Sequence, residues 1–115
     1  MVTKGVDRCL FAFPPEEWAA FKANIKANAD LSSKGRQLSR MFFSMAFEAA
    51  LDRQGRVLIP PKLAEYAGLR RDVTLAGVDD RLEIWDTQEW DRYLTGADDS
   101  FADIVEEFAG RESGV

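Results

Sequence analysis

The sequence predicts an α+β fold, mainly β, in which short strands close into a small barrel and helices pack on its outside. Three observations carry that expectation. Short apolar runs come in pairs separated by turn residues. A 17-residue segment recurs within the chain. Between the strand pairs, apolar residues recur at helical spacing.

The elements follow in order. Cys9–Phe13 reads as a strand, and Pro14-Pro15-Glu16-Glu17 then opens a helix with proline and acid in its first turn. Trp18, Phe21 and Ile25 share a face of that helix. A second helix is expected from about Ser33, with Leu38, Met41, Phe42 and Met45 at i, i+3, i+4 and i+7. Phe47–Leu51 and Arg56–Ile59 read as strands joined across Arg53-Gln54-Gly55. Pro60-Pro61 begins a short helix stopped by Gly68. Val73–Val78 and Leu82–Trp85 form another hairpin across Asp79-Asp80. Asp86 and Glu89 have the spacing of a capping box for a helix carrying Trp90 and Tyr93. A last helix from about Asp99 puts Phe101, Ile104, Val105 and Phe108 on one face and acids on the other.

Self-similarity organises these elements. Shifted by 72 residues, GVDRCLFAFPPEEWAAF (Gly5–Phe21) falls on GVDDRLEIWDTQEWDRY (Gly77–Tyr93) without a gap. Six of the 17 positions are identical, Trp18 and Trp90 among them, which reads as a tandem duplication. The second copy has a front half, LDRQGRVLIPPKLAEYAGLRRDVTL, whereas only Met1 to Lys4 precede Gly5. The expectation is a first repeat without its front half. Residues 1–46 then hold the back half of a first repeat, 47–93 a complete second repeat, and 94–115 an acidic amphipathic helix and tail. Strands this short do not make an independent sheet from one copy. Two interleaved copies closing into a barrel would remove the exposed edges, and pairing with other chains is a further way to cover them.

Composition narrows the chemistry. At 115 residues, 46% hydrophobic and 30% charged, the chain suits one soluble domain. Its apolar runs are too short to cross a bilayer, no signal-peptide pattern is present, and its single cysteine forms no internal disulfide. A cytoplasmic location is expected. With no histidine and one cysteine, the usual zinc sites and histidine-based triads are not available, and no phosphate-cradling glycine loop is found. No catalytic residue, metal site, cofactor, membrane contact or small-molecule substrate is expected, and an enzyme is not. The net charge of −5 is uneven: residues 74–115 carry twelve acids against three Lys/Arg, while the rest of the chain is net basic. Overall acidity therefore does not argue against an anionic partner at the middle of the chain.

That middle is LDRQGRVLIPP, Leu51 to Pro61. Gly55 permits the positive φ of a tight turn, and Asp52 and Arg56 flank it closely enough to pair. Arg53 and Gln54 at the tip are free to reach outward. Arginine has a donor fork suited to phosphate and guanine, glutamine can pair with adenine, and a two-stranded ribbon fits the major groove. The plain alternative is a surface turn with two incidental arginines. Arg56 serves either DNA or Asp52. Lys62, Arg70 and Arg71 can touch phosphates or be solvated helix-end charges. Trp18, Trp85 and Trp90 read as core anchors, and Cys9 packs.

LDRQGRVLIPPKLAEYAGL followed by GVDDRLEIWDTQEW is similar to the second repeat of the MraZ family, bacterial transcriptional regulators encoded at the head of the division and cell-wall gene cluster. MVTKGVDRCLFAFPPEEW resembles the back half of the family's first repeat. The resemblance implies an AbrB/SpoVT-like swapped-hairpin barrel of double-psi type. It also implies that the Asp-x-x-x-Arg turn, here Asp52-Arg53-Gln54-Gly55-Arg56, touches double-stranded DNA. The family pattern has one such turn per repeat, and this sequence holds only the second. On that resemblance, Arg53, Gln54, Arg56 and Lys62 are the expected DNA contacts, with Asp52 and Gly55 shaping the turn. The implied protein is a nucleoid-associated homo-oligomer, ring-shaped, that represses its gene cluster, its own gene included, from short direct repeats near the promoter. The other reading is an oligomeric interaction protein that no longer binds DNA.

Overall fold

The computed structural model describes residues 1–109. β1 (Val2–Lys4) and β2 (Leu10–Ala12) form a hairpin, followed by α1 (Pro15–Asn28) and α2 (Ser33–Phe43). A short α3 (Pro61–Tyr66) precedes the second hairpin, β3 (Val73–Val78) and β4 (Arg81–Asp86), and α4 (Thr87–Ala109) follows. The strands make one antiparallel sheet in the order β1-β2-β4-β3. The two hairpins meet at its centre, where Leu10 faces Ile84, Phe11 faces Glu83 and Ala12 faces Leu82. Phe11 and Glu83 are separated by the 72-residue offset of the repeat, and Leu10/Leu82 and Ala12/Ile84 exchange places around them. The register therefore has a local two-fold axis through that pair.

Each sheet face carries its own core. Cys9, Phe11, Phe13 and Trp85 are buried on one side, packed by Trp18 and Phe21 from α1 and Trp90 from α4. The Phe13 and Phe21 rings stack at 4.7 Å, and Phe42 and Phe43 of α2 close over Phe21 edge-on. All three tryptophans thus serve as core anchors. Burial pushes the Cys9 thiol up to about 12, so it is a packing group and not a reactive one. On the other face Val2, Leu10, Leu63 and Ala67 are buried, joined by Met45, Phe47 and Ile59. Leu63 is fully buried and docks α3 onto the first hairpin.

The structure differs from the sequence reading in five places. The sheet is open: among the described residues its four strands do not close into a barrel. The fold is α+β but not mainly β, with helices of 14, 11, 6 and 23 residues against strands of 3, 3, 6 and 6. β1 was not expected, because three residues carry no alternation to read. It forms because Val2 and Thr3 are buried and Gly5 lets the chain turn against β2, where an added Cβ would lie 2.7 Å from the Phe11 ring.

Phe47–Leu51 and Arg56–Ile59 are not strands; the former touches the sheet in a single bridge, Val2 to Phe47. Phe47, Ala49 and Ile59 pack on the core, but Leu51 and Leu58 are 71% and 89% exposed, so the ribbon nearest the turn has no apolar surface to lie on. The two helices expected around Tyr93 and after Asp99 are one continuous α4. Its interior Gly96 weakens it without breaking it. The tail expected after Ala109 lies outside the described residues. No helix among the described residues is long and apolar enough to cross a membrane.

Two outcomes are expected in urea unfolding. Leu63→Ala removes the fully buried anchor of α3 and should cost about 2–5 kcal/mol. Gly96→Ala places a methyl in open space on a helix and should gain up to about 1 kcal/mol.

Candidate nucleic-acid interface

The turn at residues 52–56 is organised by one carboxylate. The backbone N–H groups of Gln54 and Arg56 donate to Asp52 Oδ1 at 2.9 and 2.8 Å, and Arg56 Nε donates to Asp52 Oδ2 at 3.0 Å. The backbone closes the loop as well: Asp52 N–H reaches the Arg56 carbonyl at 2.9 Å, and Gly55 N–H reaches the Asp52 carbonyl at 3.0 Å. Gly55 has φ +77°, the left-handed conformation that favours glycine. Arg56 Nη2 also donates to Gln54 Oε1 at 3.3 Å. Asp52, Gln54, Gly55 and Arg56 therefore form one network, and the spacing read from sequence brought the right pair together.

Arg53 stands outside that network. It is exposed and makes no ion pair among the described residues. Since Asp52 neutralises Arg56, the turn is left with one uncompensated positive charge, on Arg53. Its planar fork of donors remains available to an anion or a base edge. The Gln54 carbonyl is engaged, which leaves its amide N–H₂ as the free donor.

Lys62 is exposed on the first turn of α3, unpaired among the described residues, and takes no part in the turn network. Pro61 at the first helical position starts α3 there. Tyr66 holds the far end of the helix: its hydroxyl donates to the Gly5 carbonyl at 2.6 Å, with Lys4 and Arg8 over its ring at 4.5 and 5.5 Å. That clasp spans 61 residues of sequence and left no local signal.

Arg70 has a different role from the one weighed for it. Its Nη2 donates to Asp86 Oδ2 at 2.7 Å, and Asp86 is only 3% exposed. The Arg70 guanidinium holds the Asp86 carboxyl below its ordinary range. Asp86 also caps α4 through the Glu89 N–H at 3.3 Å. The reciprocal half of the capping box is replaced, because the Glu89 carboxylate takes Arg92 at 2.8 Å instead. Among the described residues no group of three or more His, Cys, Asp or Glu could hold a metal ion.

Residues 42–112 match the family model described as MraZ protein, antitoxin-like. The chain belongs to the MraZ family. It is 43% identical over 106 residues to the transcriptional regulator MraZ of Desulforamulus reducens, covering 92% of this chain and 75% of that protein. It is 41% identical over 107 residues to the transcriptional regulator MraZ of Natranaerobius thermophilus, covering 93% and 75%. The MraZ match begins ahead of the turn, so the 52–56 network lies inside the segment that carries the family.

The turn should have a defined acid limit. The Arg56 N–H first, then the Arg56 guanidinium and the Gln54 N–H, hold the Asp52 carboxyl below its ordinary 3.8, against some desolvation. A lowered folded value means that this ordering is fully present above the unfolded value, about 3.9, and is lost as pH falls through the folded one. In an acid titration followed by NMR, the Gln54 and Arg56 amide signals should move together, with a midpoint below 3.8. Asp52→Asn should abolish that titration.

Proposed function

We propose that this chain is a transcription regulator that binds double-stranded DNA through the turn at Asp52–Arg56. The single observation that carries the reading is the Asp52 carboxylate. By fixing Arg56 and two backbone N–H groups, it presents Arg53 on a preformed loop with no counter-charge of its own. The naming of both relatives as transcriptional regulators supports the same conclusion.

In this reading Arg53 forks onto a guanine edge or a phosphate, and the Gln54 amide N–H₂ donates to a base acceptor. Arg56 shapes the loop and lends its remaining N–H groups to phosphate, while Lys62 contacts phosphate nearby. One such turn binds weakly, because phosphate contacts add and fall off steeply with salt. Several turns on one assembly, matched to short direct repeats, gain affinity through effective concentration. The assembly is a homo-oligomer, ring-shaped, in which the open sheet closes as an AbrB/SpoVT-like swapped-hairpin barrel. The exposed Leu51 and Leu58 and the free strand edges are the surfaces such closure would bury. The regulator acts as a repressor of the division and cell-wall gene cluster, its own gene included, from the nucleoid of the cytoplasm.

Fluorescence anisotropy with a labelled duplex from upstream of its own gene tests this. Selective binding over a scrambled duplex is expected, weakening as salt rises. Arg53→Ala should lose about tenfold or more on the cognate duplex, while Lys62→Ala should weaken both duplexes alike. Equal affinity for the scrambled duplex, no effect of Arg53→Ala, or no binding would sink the reading. Absence of binding would leave an oligomeric interaction protein.

A further inference from the structure

The helical hairpin α1–α2 is basic in a chain of net charge −5. Residues 15–43 carry five Lys/Arg against three acids. Four of those cations, Lys22, Lys26, Arg36 and Arg40, line a cleft of about 730 Å³ between the two helices. None of the four has an ion-pair partner among the described residues. Arg56, Arg70, Arg81 and Arg92 each meet a carboxylate, so pairing is available on this acidic chain and is withheld here. Four like charges around one cleft repel one another, and an anion placed among them relieves that repulsion.

The two helices run antiparallel, and their ring contacts set the register. Trp18 meets Phe43, and Phe21 meets both Phe42 and Phe43. Continued along the hairpin, that register sets Ala19 across from Phe43, Lys22 from Arg40, Ala23 from Ser39 and Lys26 from Arg36. On each helix these residues recur at i, i+3, i+4 and i+7 and so share one face. Two cation pairs therefore span the cleft, one helical turn or about 5–6 Å apart. Ser39 adds a hydroxyl between them. Ala23 floors the space between the pairs, and Ala19 and Phe43 make an apolar end beyond Lys22 and Arg40.

The loop at 29–32 closes the opposite end. Gly35 lets it lie against the first turn of α2, where an added Cβ would overlap the Asp30 carbonyl, and Ser32 caps α2 through the Gly35 N–H at 3.1 Å. Arg36 Nη1 donates to the Leu31 carbonyl, which holds the side chain in place and leaves the rest of its donor fork free. Asp30, the single acid on the lining, accepts the Ser32 N–H at 2.9 Å. Four cations against one acid leave the cleft positive.

We infer that the α1–α2 cleft binds a small organic diphosphate or triphosphate, its phosphates between the Lys22–Arg40 and Lys26–Arg36 pairs and its organic group on Ala19 and Phe43. Lysine and arginine donors facing each other across a gap suit phosphate oxygens. Two pairs one turn apart call for two anionic groups in succession, which a lone carboxylate or monophosphate lacks. The apolar end calls for an organic substituent, which inorganic pyrophosphate lacks. A DNA duplex offers phosphates and no such substituent, so it would use the cations and leave the apolar end bare. Asp30 at the closed end repels anions, so the phosphates enter no deeper than Lys26 and the organic group points towards Phe43. The cleft volume is in the range of small-molecule sites. The site shares no residue with the 52–56 turn, so it stands whether or not that turn binds DNA.

Isothermal titration calorimetry on the full chain at about 0.1 M salt tests it with three probes, ADP, geranyl diphosphate and inorganic pyrophosphate. One site per chain is expected, with one of the organic probes bound about tenfold or more tighter than pyrophosphate. Preference for ADP would assign a nucleotide, and preference for geranyl diphosphate an aliphatic chain; either outcome supports the site. Lys22→Ala with Arg40→Ala should weaken the preferred probe about tenfold or more. Ala19→Gln should weaken the preferred probe and leave pyrophosphate unchanged, while Lys34→Ala, on α2 outside the cleft, should change neither. All four positions are exposed, and circular dichroism checks the fold of each variant. No binding of either organic probe with a Kd below about 1 mM, equal affinity for the three probes, no effect of Ala19→Gln, or an equal loss in Lys34→Ala would overturn the proposal. So would a scrambled duplex that binds the wild type more tightly than either organic probe and loses its affinity in the Lys22/Arg40 variant, since the cleft would then be a nucleic-acid surface.

Discussion

The structure depends on the pairing of β2 with β4. It is only three residues deep, yet each core is assembled across it. Leu10 and Ile84 face α3 on one side, while Phe11 and Glu83 face the aromatic cluster on the other. Glu83 is tolerated among those rings because its carboxylate is fully used. Trp85 Nε1 donates to it at 3.1 Å, and Arg81 donates at 3.0 Å while its guanidinium lies 4.5 Å over the Phe11 ring. A polar pair at the centre of the seam thus costs little, since its hydrogen-bonding capacity is met locally. The local two-fold axis through Phe11 and Glu83 then gives both hairpins the same relation to the sheet centre. Position, and not only composition, decides what each face can bury.

From that seam the turn is placed through few contacts. Leu63 seats α3 on the first hairpin, and the Tyr66 hydroxyl fixes its end to Gly5. Ahead of α3, the Val2–Phe47 bridge and the packing of Phe47, Ala49 and Ile59 on the core tie the ribbon to the sheet. The turn's shape is therefore local, written in the Asp52 network, whereas its orientation depends on α3. Shape set by a carboxylate and orientation set by packing respond to different perturbations, one to acid and the other to loss of apolar anchors.

Much of this was legible in the residues. Pro14-Pro15-Glu16-Glu17 announced α1, and Asp79-Asp80 marked the turn of the second hairpin, because proline, acid and turn residues act through the local backbone. The Asp52–Arg56 pair was legible for the same reason, and the core roles of Trp18, Trp85 and Trp90 followed from aromatic size. What was hidden depends on partners far along the chain. Val2–Lys4 becomes a strand only because β2 lies beside it. Phe47–Leu51 and Arg56–Ile59 are short and largely apolar like strands, but composition states a preference for a pleated surface and does not supply a partner for it. Arg70 looked like a solvated cation until Asp86, 16 residues on, proved to be its buried partner. One continuous α4 stands where two helices were expected, since its single interior glycine, Gly96, weakens a helix without ending it.

The segregation of charge bears on the proposed assembly and DNA binding alike. Residues 74–115 hold twelve acids against three Lys/Arg, most of the excess on α4, while the turn offers one uncompensated arginine. In the proposed reading, an acidic helix within about the Debye length of 8 Å of the turn competes with DNA for that arginine. Binding free energies are reciprocal, so whatever assembly adds to DNA affinity, DNA adds to assembly. Repeated sites on one duplex strengthen that link by holding several copies at high effective concentration.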